Sequence, residues 1–373
     1  MLRRTSRVVG SDKITQLRQN DPSLTEFEWN VRDGDENDQS TLIAQALPRN
    51  FFVTRMNISG RQNPEKISTI LTAMETNSAV SLLQLEFITI NQQVQDALVS
   101  LLETNTTLTS LTLYWAHIEG GLGYAISTAL ATNTTLVSLS MVGLQYQPGV
   151  LNGVEVMLGN AMSVNTTLTQ LDISTNASMH SLNPINNILE SNTSLESLDI
   201  SNLSFIDYDV AECSTFIRAI TNNPSLTSLN LGRFETVNDW SEDEKLELVD
   251  AIGANSSLIY LYLDNLNIDA TVGRALAAAL QTNTTLTELD LTDSVADISV
   301  LESLATALDY NVTLCTLELQ RAMSAAESRL LTDIRKKMQG REYFKPVSVK
   351  TVVVAQPQGV KRTRNTNLHL LLL

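Results

Sequence analysis

The residues of this chain that could support covalent or metal chemistry are few and scattered. Its three histidines, His117, His180 and His369, stand far apart, whereas a zinc site needs clustered ligands. Cys213 and Cys315 have no neighbouring ligands and cannot build a disulfide framework; that usage fits a reducing compartment. No HExxH, GxSxG or GxxxxGK[ST] occurs. Carboxylates are plentiful, 41 of 373 residues, but in a repeating chain they recur for solubility, so proximity alone nominates no acid–base pair. The sequence therefore implies no metal, no cofactor and no catalytic residue, and a non-catalytic role is expected. One further chemistry is written repeatedly: Asn-x-Thr/Ser, the glycan acceptor, in "NTTLTSLTL" from 105, "NTTLVSLSM" from 133, "NTTLTQLDI" from 165, "NTSLESLDI" from 192 and "NTTLTELDL" from 283.

The recurrence itself gives the sequon another reading. Aligned on Asn-x-x-Leu, the anchors are Asp21, Asn50, Asn77, Asn105, Asn133, Asn165, Asn192, Asn223, Asn255, Asn283 and Asn311. The mean spacing of these eleven units is about 29 residues, the long end of the leucine-rich repeat range. After each anchor comes L-x-x-L-x-L, as in Leu108, Leu111 and Leu113, whose alternation reads as a short strand. A helical pattern follows, as in "QDALVSLLETN" and "VGRALAAALQTN", with Leu and Ala on one face. Strand then helix, eleven times, predicts a parallel sheet lined by helices, with strands near 111–113, 139–141, 171–173, 198–200, 229–231, 261–263, 289–291 and 317–319. No single unit can bury its own leucines, so neighbours must stack. The anchor follows the last helical turn, where a left-handed residue is wanted and Asn tolerates it. Thr-Thr then opens an extended segment and the leucine plugs the core. "NTTL" is thus structural and the sequon a by-product, because a glycan would need a secreted protein.

Composition bounds the rest. Hydrophobic residues make up 43% and aromatics only 5%, so the core is aliphatic. The net charge of −16 is uneven: residues 1–18 carry +4 and 345–373 carry +5, leaving −25 between them. Such a body repels a phosphate backbone, so nucleic acid is not expected as a partner. "MLRRTSRVVGSDK" lacks the apolar stretch of a secretory signal and reads as a disordered end, with a mitochondrial transit peptide as the alternative. No run reaches the ~18 apolar residues of a membrane span. The expected organisation is a basic flexible N-terminus (1–13), a leucine-rich repeat domain closed by a capping helix (14–340), and a basic flexible tail (341–373) in which "SVKTVVV" could form one edge strand. A cytoplasmic monomer is expected.

The junctions "ALATNTTLVSL" and "ALQTNTTLTEL" resemble the ribonuclease-inhibitor type of leucine-rich repeat over residues 21–338. "ITQLRQNDPSLTEFEWN" at 14–30 and "ILTAMETNSAV" at 70–80 are similar to the entry and second junction of the tropomodulin leucine-rich domain. The resemblance implies an α/β solenoid, a horseshoe with parallel strands on the concave face and helices on the convex face, and makes actin a candidate partner. Two departures qualify it. The array is longer and leaves no room for the family's N-terminal tropomyosin- and actin-binding arm. The position of the usual Asn or Cys after the strand holds Ile88, Ala116, Leu144, Asn176, Leu203, Phe234, Leu266, Ser294 and Ala322, only one of them Asn, which predicts an apolar turn rather than an amide ladder.

Residues flanking the strand leucines face the concave side. Among them nine are acidic and one, Arg55, is basic. Two readings stand: a solvated sheet face, or an acidic palm for a basic or polar protein surface. The best patch is Tyr260, Tyr262, Asp264, Glu288 and Asp290, with Asp172, Asp199 and Tyr114 on the same face, because aromatic and charged groups together favour hot spots. Longer units put extra residues in ascending loops that carry Tyr146, Phe205, Tyr208, Phe234 and Trp240, with Trp115 and His117 on the same edge. These rings either fill gaps in the loops or meet a partner. The expected function is a protein-binding scaffold; a tropomodulin-like actin-binding regulator and a GTPase-activator-like regulatory subunit are the alternatives.

Overall fold

The computed structural model describes residues 11–30, 39–60, 63–146, 161–176, 181–203, 205, 209–233, 240–295, 297–320 and 324–341. The alternating leucines of each unit form one strand: Glu26–Asn30, Arg55–Ser59, Leu82–Glu86, Ser110–Tyr114, Ser138–Val142, Gln170–Asp172, Ser197–Asp199, Ser228–Asn230, Tyr260–Tyr262, Glu288–Leu291 and Thr316–Leu319. They build one eleven-stranded sheet in chain order, with every pair parallel. The pairing keeps equivalent leucines level, so Leu83, Leu111, Leu139, Leu171, Leu198, Leu229, Leu261, Leu289 and Leu317 form one row. The chain is a leucine-rich repeat solenoid. Its repeat halves fell where the leucine pattern placed them, most strands starting one residue earlier.

Helices such as Gln92–Thr104 and Ala270–Thr282 turn one apolar face to that row, burying Val94, Leu98 and Leu101 in the first and Val272, Leu276 and Leu280 in the second. Each packs on the helices of adjacent units, so the core runs the length of the array. Burying each such leucine contributes about 1.5–3 kcal/mol relative to exposure. Among the described residues no helix is long and apolar enough to cross a membrane.

The anchors do not adopt the left-handed conformation expected of them. Asn105 has φ −76° and ψ 133°, and Asn133, Asn192, Asn223, Asn255 and Asn283 are likewise extended. Their purpose is a hydrogen-bond ladder. The Asn105 Oδ1 accepts from the backbone of Thr107 and Leu108, and its Nδ2 donates to the carbonyls of Met74 and Asn77 in the preceding unit. Asn283 repeats the set with Thr285, Leu286, Ile252 and Asn255. The ten Asn anchors are all buried. A glycan on this nitrogen is incompatible with the fold, so the structure supports the structural reading of the sequon. Hydroxyls add parallel rungs: Thr107 donates to Asn77 and Thr109 to Ser81, each to a carbonyl of the unit before.

Left-handed backbone occurs instead ten residues after the anchor, at Gly60, Phe87, Trp115, Gly143, Thr175, Asn202, Arg233, Asn265 and Asp293. There the chain leaves the strand for the ascending loop. That loop is lined by buried Ile88, Ala116 and Leu144 as expected, but Asn176 donates to the carbonyls of Met141 and Ile173 and accepts from Leu144, and Ser294 joins Leu263 and Leu266 in the same manner. Amide-type bridging therefore survives at two units. Units three to five add a second small parallel sheet, Thr89–Ile90, His117–Ile118 and Gln145–Tyr146.

The ends are closed differently. The first helix begins at Ser11, three residues before the expected boundary, and the first anchor is Asp21, whose carboxylate accepts from Ser23 and has no N–H with which to reach back. At the other end the capping helix Ala325–Met338 carries Lys337, which donates to the Ala305 carbonyl and pairs with Asp309 at 2.7 Å. Residues 342–373, with the expected edge strand among them, lie outside the described residues.

Candidate functional site

The concave face has three zones set by what each strand carries between its leucines. At units four and five Ser110, Thr112, Ser138 and Ser140 are small and buried, and they form a floor flanked by longer side chains. From unit six onward the middle slot holds Asp172, Asp199, Asn230, Tyr262, Asp290 and Glu318, four of them acidic. Four of the six make a local turn: Asp172 accepts from the Ser174 backbone, Asp199 from Ser201, Asn230 from Gly232 and Asp290 from Thr292, all at 2.8–3.0 Å. Asx turns of this kind explain why Asp and Asn recur there.

They also lock the acids into one row. The Ser140 hydroxyl donates to Asp172, and the Asn230 amide donates to Asp199 at 2.9 Å. Asp199 stands beside Asp172 in register. Burial first, and the Asp172 charge second, push its carboxyl up to about 6. Further along, the Tyr262 hydroxyl donates to Glu288 at 3.1 Å, and burial with the neighbouring Glu288 charge raises the phenol above its ordinary value. The Asp264 carboxylate lies over Gly232, where any Cβ would collide with it, and faces Arg233 across a loose 3.5 Å contact. Asp172, Asp199, Tyr260, Tyr262, Asp264, Glu288 and Asp290 are thus brought onto one continuous surface over units six to ten.

The third zone lies on the rim of units three to five. Phe87 and Trp115 occupy the left-handed slot that other units give mostly to Gly, Asn or Asp, and this costs a bulky residue about 1–2 kcal/mol. Both nevertheless keep aromatic surface in solvent, Phe87 being 40% and Trp115 36% exposed. Tyr114 sits between them, its ring 5.6 Å from Phe87 and 6.5 Å from Trp115, both edge to face. Gly143 makes room for the indole: a Cβ there would approach Trp115 Cε2 to 2.8 Å. The sequence pointed to Tyr114 and Trp115 but not to Phe87, whose signal is its place in the row ten residues after the anchor.

Two expected rings do not face solvent. Trp240 is only 4% exposed and packs edge to face on the buried Phe216, 6.2 Å between centroids, and Phe205 is buried too. Trp240 thus belongs to the core, packed on the helix Val210–Asn222 of the unit before. Tyr146 is partly buried against the core, and Tyr208 and Phe234 lie outside the described residues. Among the described residues no group of three or more His, Cys, Asp or Glu could hold a metal ion. Cys213 is buried, and burial pushes its thiol up to about 12, away from the thiolate state a nucleophile needs.

No model of a known protein family matches the chain, and no curated protein matches it. Among solved structures, it is similar to the leucine-rich repeat-containing protein LegL7 from Legionella pneumophila, at 15% identity over 84% of this chain and 98% of that one, TM-score 0.49. It is also similar to leiomodin-1 actin-binding site 2, at 25% identity over 45% of this chain and 80% of that one, TM-score 0.31.

Proposed function

We propose that the chain is a non-catalytic recognition scaffold that binds a protein through its concave face and the rim at the strand ends. The observation that carries this is the pair Phe87 and Trp115. Each places a partly exposed aromatic side chain on a strained backbone conformation, and such strain clusters at binding sites. The acidic row of Asp172, Asp199, Asp264, Glu288 and Asp290 supports the same reading, since it would steer a basic or polar surface toward the face. Tyr260 and Tyr262 add apolar contact area beside those charges.

The test compares three forms of the purified chain as bait in extract of its own cells: the natural sequence, Phe87→Ala with Trp115→Ala, and Asp264→Asn with Glu288→Gln and Asp290→Asn. Purified actin and a panel of small GTPases serve as defined arms for the actin-binding and GTPase-activator alternatives. A protein captured by the natural sequence should be lost with the aromatic pair, and its association should slow and lose salt dependence in the charge-neutral form. Identical capture by all three forms would refute the reading.

A further inference from the structure

The geometry points to the ridge formed by Phe87, Tyr114 and Trp115, with Glu86 at its foot, as a seat for the guanidinium of an arginine on a partner protein. This rests on the reading that the rim meets a protein, and it names the chemistry that the partner presents there.

Four observations favour arginine over other occupants. The three rings stand edge to face and leave aromatic surface in solvent at Phe87 and Trp115; aromatic faces attract cations, and more so when the cation is planar and weakly hydrated. Glu86 lies beside Tyr114 in register. It is half-buried, which raises its carboxyl above the usual range; the nearby Glu28 pushes the same way, while a hydrogen bond from Asn57 opposes both. No ion pair to that carboxylate forms among the described residues. Among the described concave residues of the first five units the one cation is Arg55, already paired to Glu26 at 2.6 Å. An anionic ligand would meet Glu86 and Glu28, and a purely apolar ligand would desolvate Glu86 further, so both are disfavoured. A guanidinium satisfies the carboxylate with paired N–H groups and lays its plane on a ring. Lysine can supply the charge but not the plane.

The molecule contains its own reporter. Of its three tryptophans, Trp29 and Trp240 are 2% and 4% exposed and Trp115 is 36% exposed, so a soluble ligand on the ridge changes the emission of Trp115 first. The probes are acetyl-Gly-Arg-Gly-amide and its lysine and citrulline counterparts, titrated into the full chain. Saturable change with arginine is expected, about tenfold weaker with citrulline, which keeps the shape and loses the charge. Glu86→Gln should weaken the arginine probe by a similar factor, with its unfolding midpoint unchanged or raised. Phe87→Gly should weaken it too, although glycine suits the left-handed slot and keeps the backbone unstrained. Equal binding of arginine and citrulline, or an unchanged arginine affinity in either variant, overturns the proposal. If the ridge takes the arginine probe while Phe87→Gly captures the same proteins from extract, the seat stands and the recognition reading falls. If capture needs the ridge but arginine and citrulline bind alike, recognition stands and the seat falls.

Discussion

The guanidinium of Arg341 donates to the carbonyl of Leu308 at 2.9 Å, the bond that Asn311 makes to Leu280 one unit earlier. A second N–H of the same group reaches Leu314. Arg341 therefore stands where a twelfth anchor would be and closes the ladder with a charged group near a helix C-terminus, where a cation is favoured. Arg341→Ala should cost about 1.5–3 kcal/mol locally, the range for hydrogen bonds to charged groups. Amide exchange should rise over residues 308–319 and stay unchanged in the first units. Uniform acceleration along the chain would contradict this.

The first anchor and the later ones should respond oppositely to the same one-atom exchange. Asn283→Asp puts a carboxylate against the carbonyls of Ile252 and Asn255 in a buried site, and leaving a buried charge unpaired costs several kcal/mol. Asp21→Asn keeps the acceptor that Ser23 uses, at an exposed position with no rung to complete. Its unfolding midpoint in urea should move by less than about 0.5 kcal/mol equivalent. A neutral Asn283→Asp would show the ladder to be dispensable.

Leu289 is fully buried in the leucine row, between Leu261 and Leu317. Leu289→Ala should cost about 2–5 kcal/mol. Because units couple to their neighbours, hydrogen exchange should rise in the adjoining strands Tyr260–Tyr262 and Thr316–Leu319 before it rises near the N-terminus.

Asp199 sets a pH dependence. Its carboxyl is pushed up to about 6 in the fold from 3.8 when free. Between those values the folded chain holds a proton that the unfolded chain releases, so its contribution to stability falls as pH rises through that window. Asp21 and Asp297, held low chiefly by hydrogen bonds from Ser23 and Ser299, act in the opposite sense as pH falls below the usual range. Asp172→Asn keeps an oxygen for Ser174 and removes the second cause of the Asp199 shift. Denaturant midpoints measured from about pH 4 to about pH 7 should decline less in that variant than in the natural chain. An identical slope would mean the two acids do not sense each other.

Much of this was legible in the leucines. Their spacing located eight of the eleven strands in the sheet, because a parallel array stacks equivalent positions and leaves no choice of register. The anchors were found but their conformation was misjudged. Helix-stop logic suggested a left-handed Asn, whereas the fold needs an extended residue whose amide can reach the unit before. That purpose appears only once two units are stacked. Trp240 could not be separated from Trp115 by type or loop, since its burial depends on Phe216 of the neighbouring unit's helix. Phe87 was readable in principle: in the row ten residues after the anchors, Phe and Trp are the two aromatics among mostly Gly, Asn and Asp.

The ladder makes the length of the array a free variable. Each Asn anchor reaches back to its predecessor through backbone carbonyls, which every residue type supplies, and asks nothing of any other unit. Excising residues 105–132 would bring Asn133 behind Asn77 with an equivalent partner carbonyl waiting for it, and duplicating them would do the same. Only Asp21 and Arg341 are tied to a place in the order. A gene of this kind can grow or shrink by whole units while its two terminators stay put, and the surface it offers lengthens or shortens in steps of one strand.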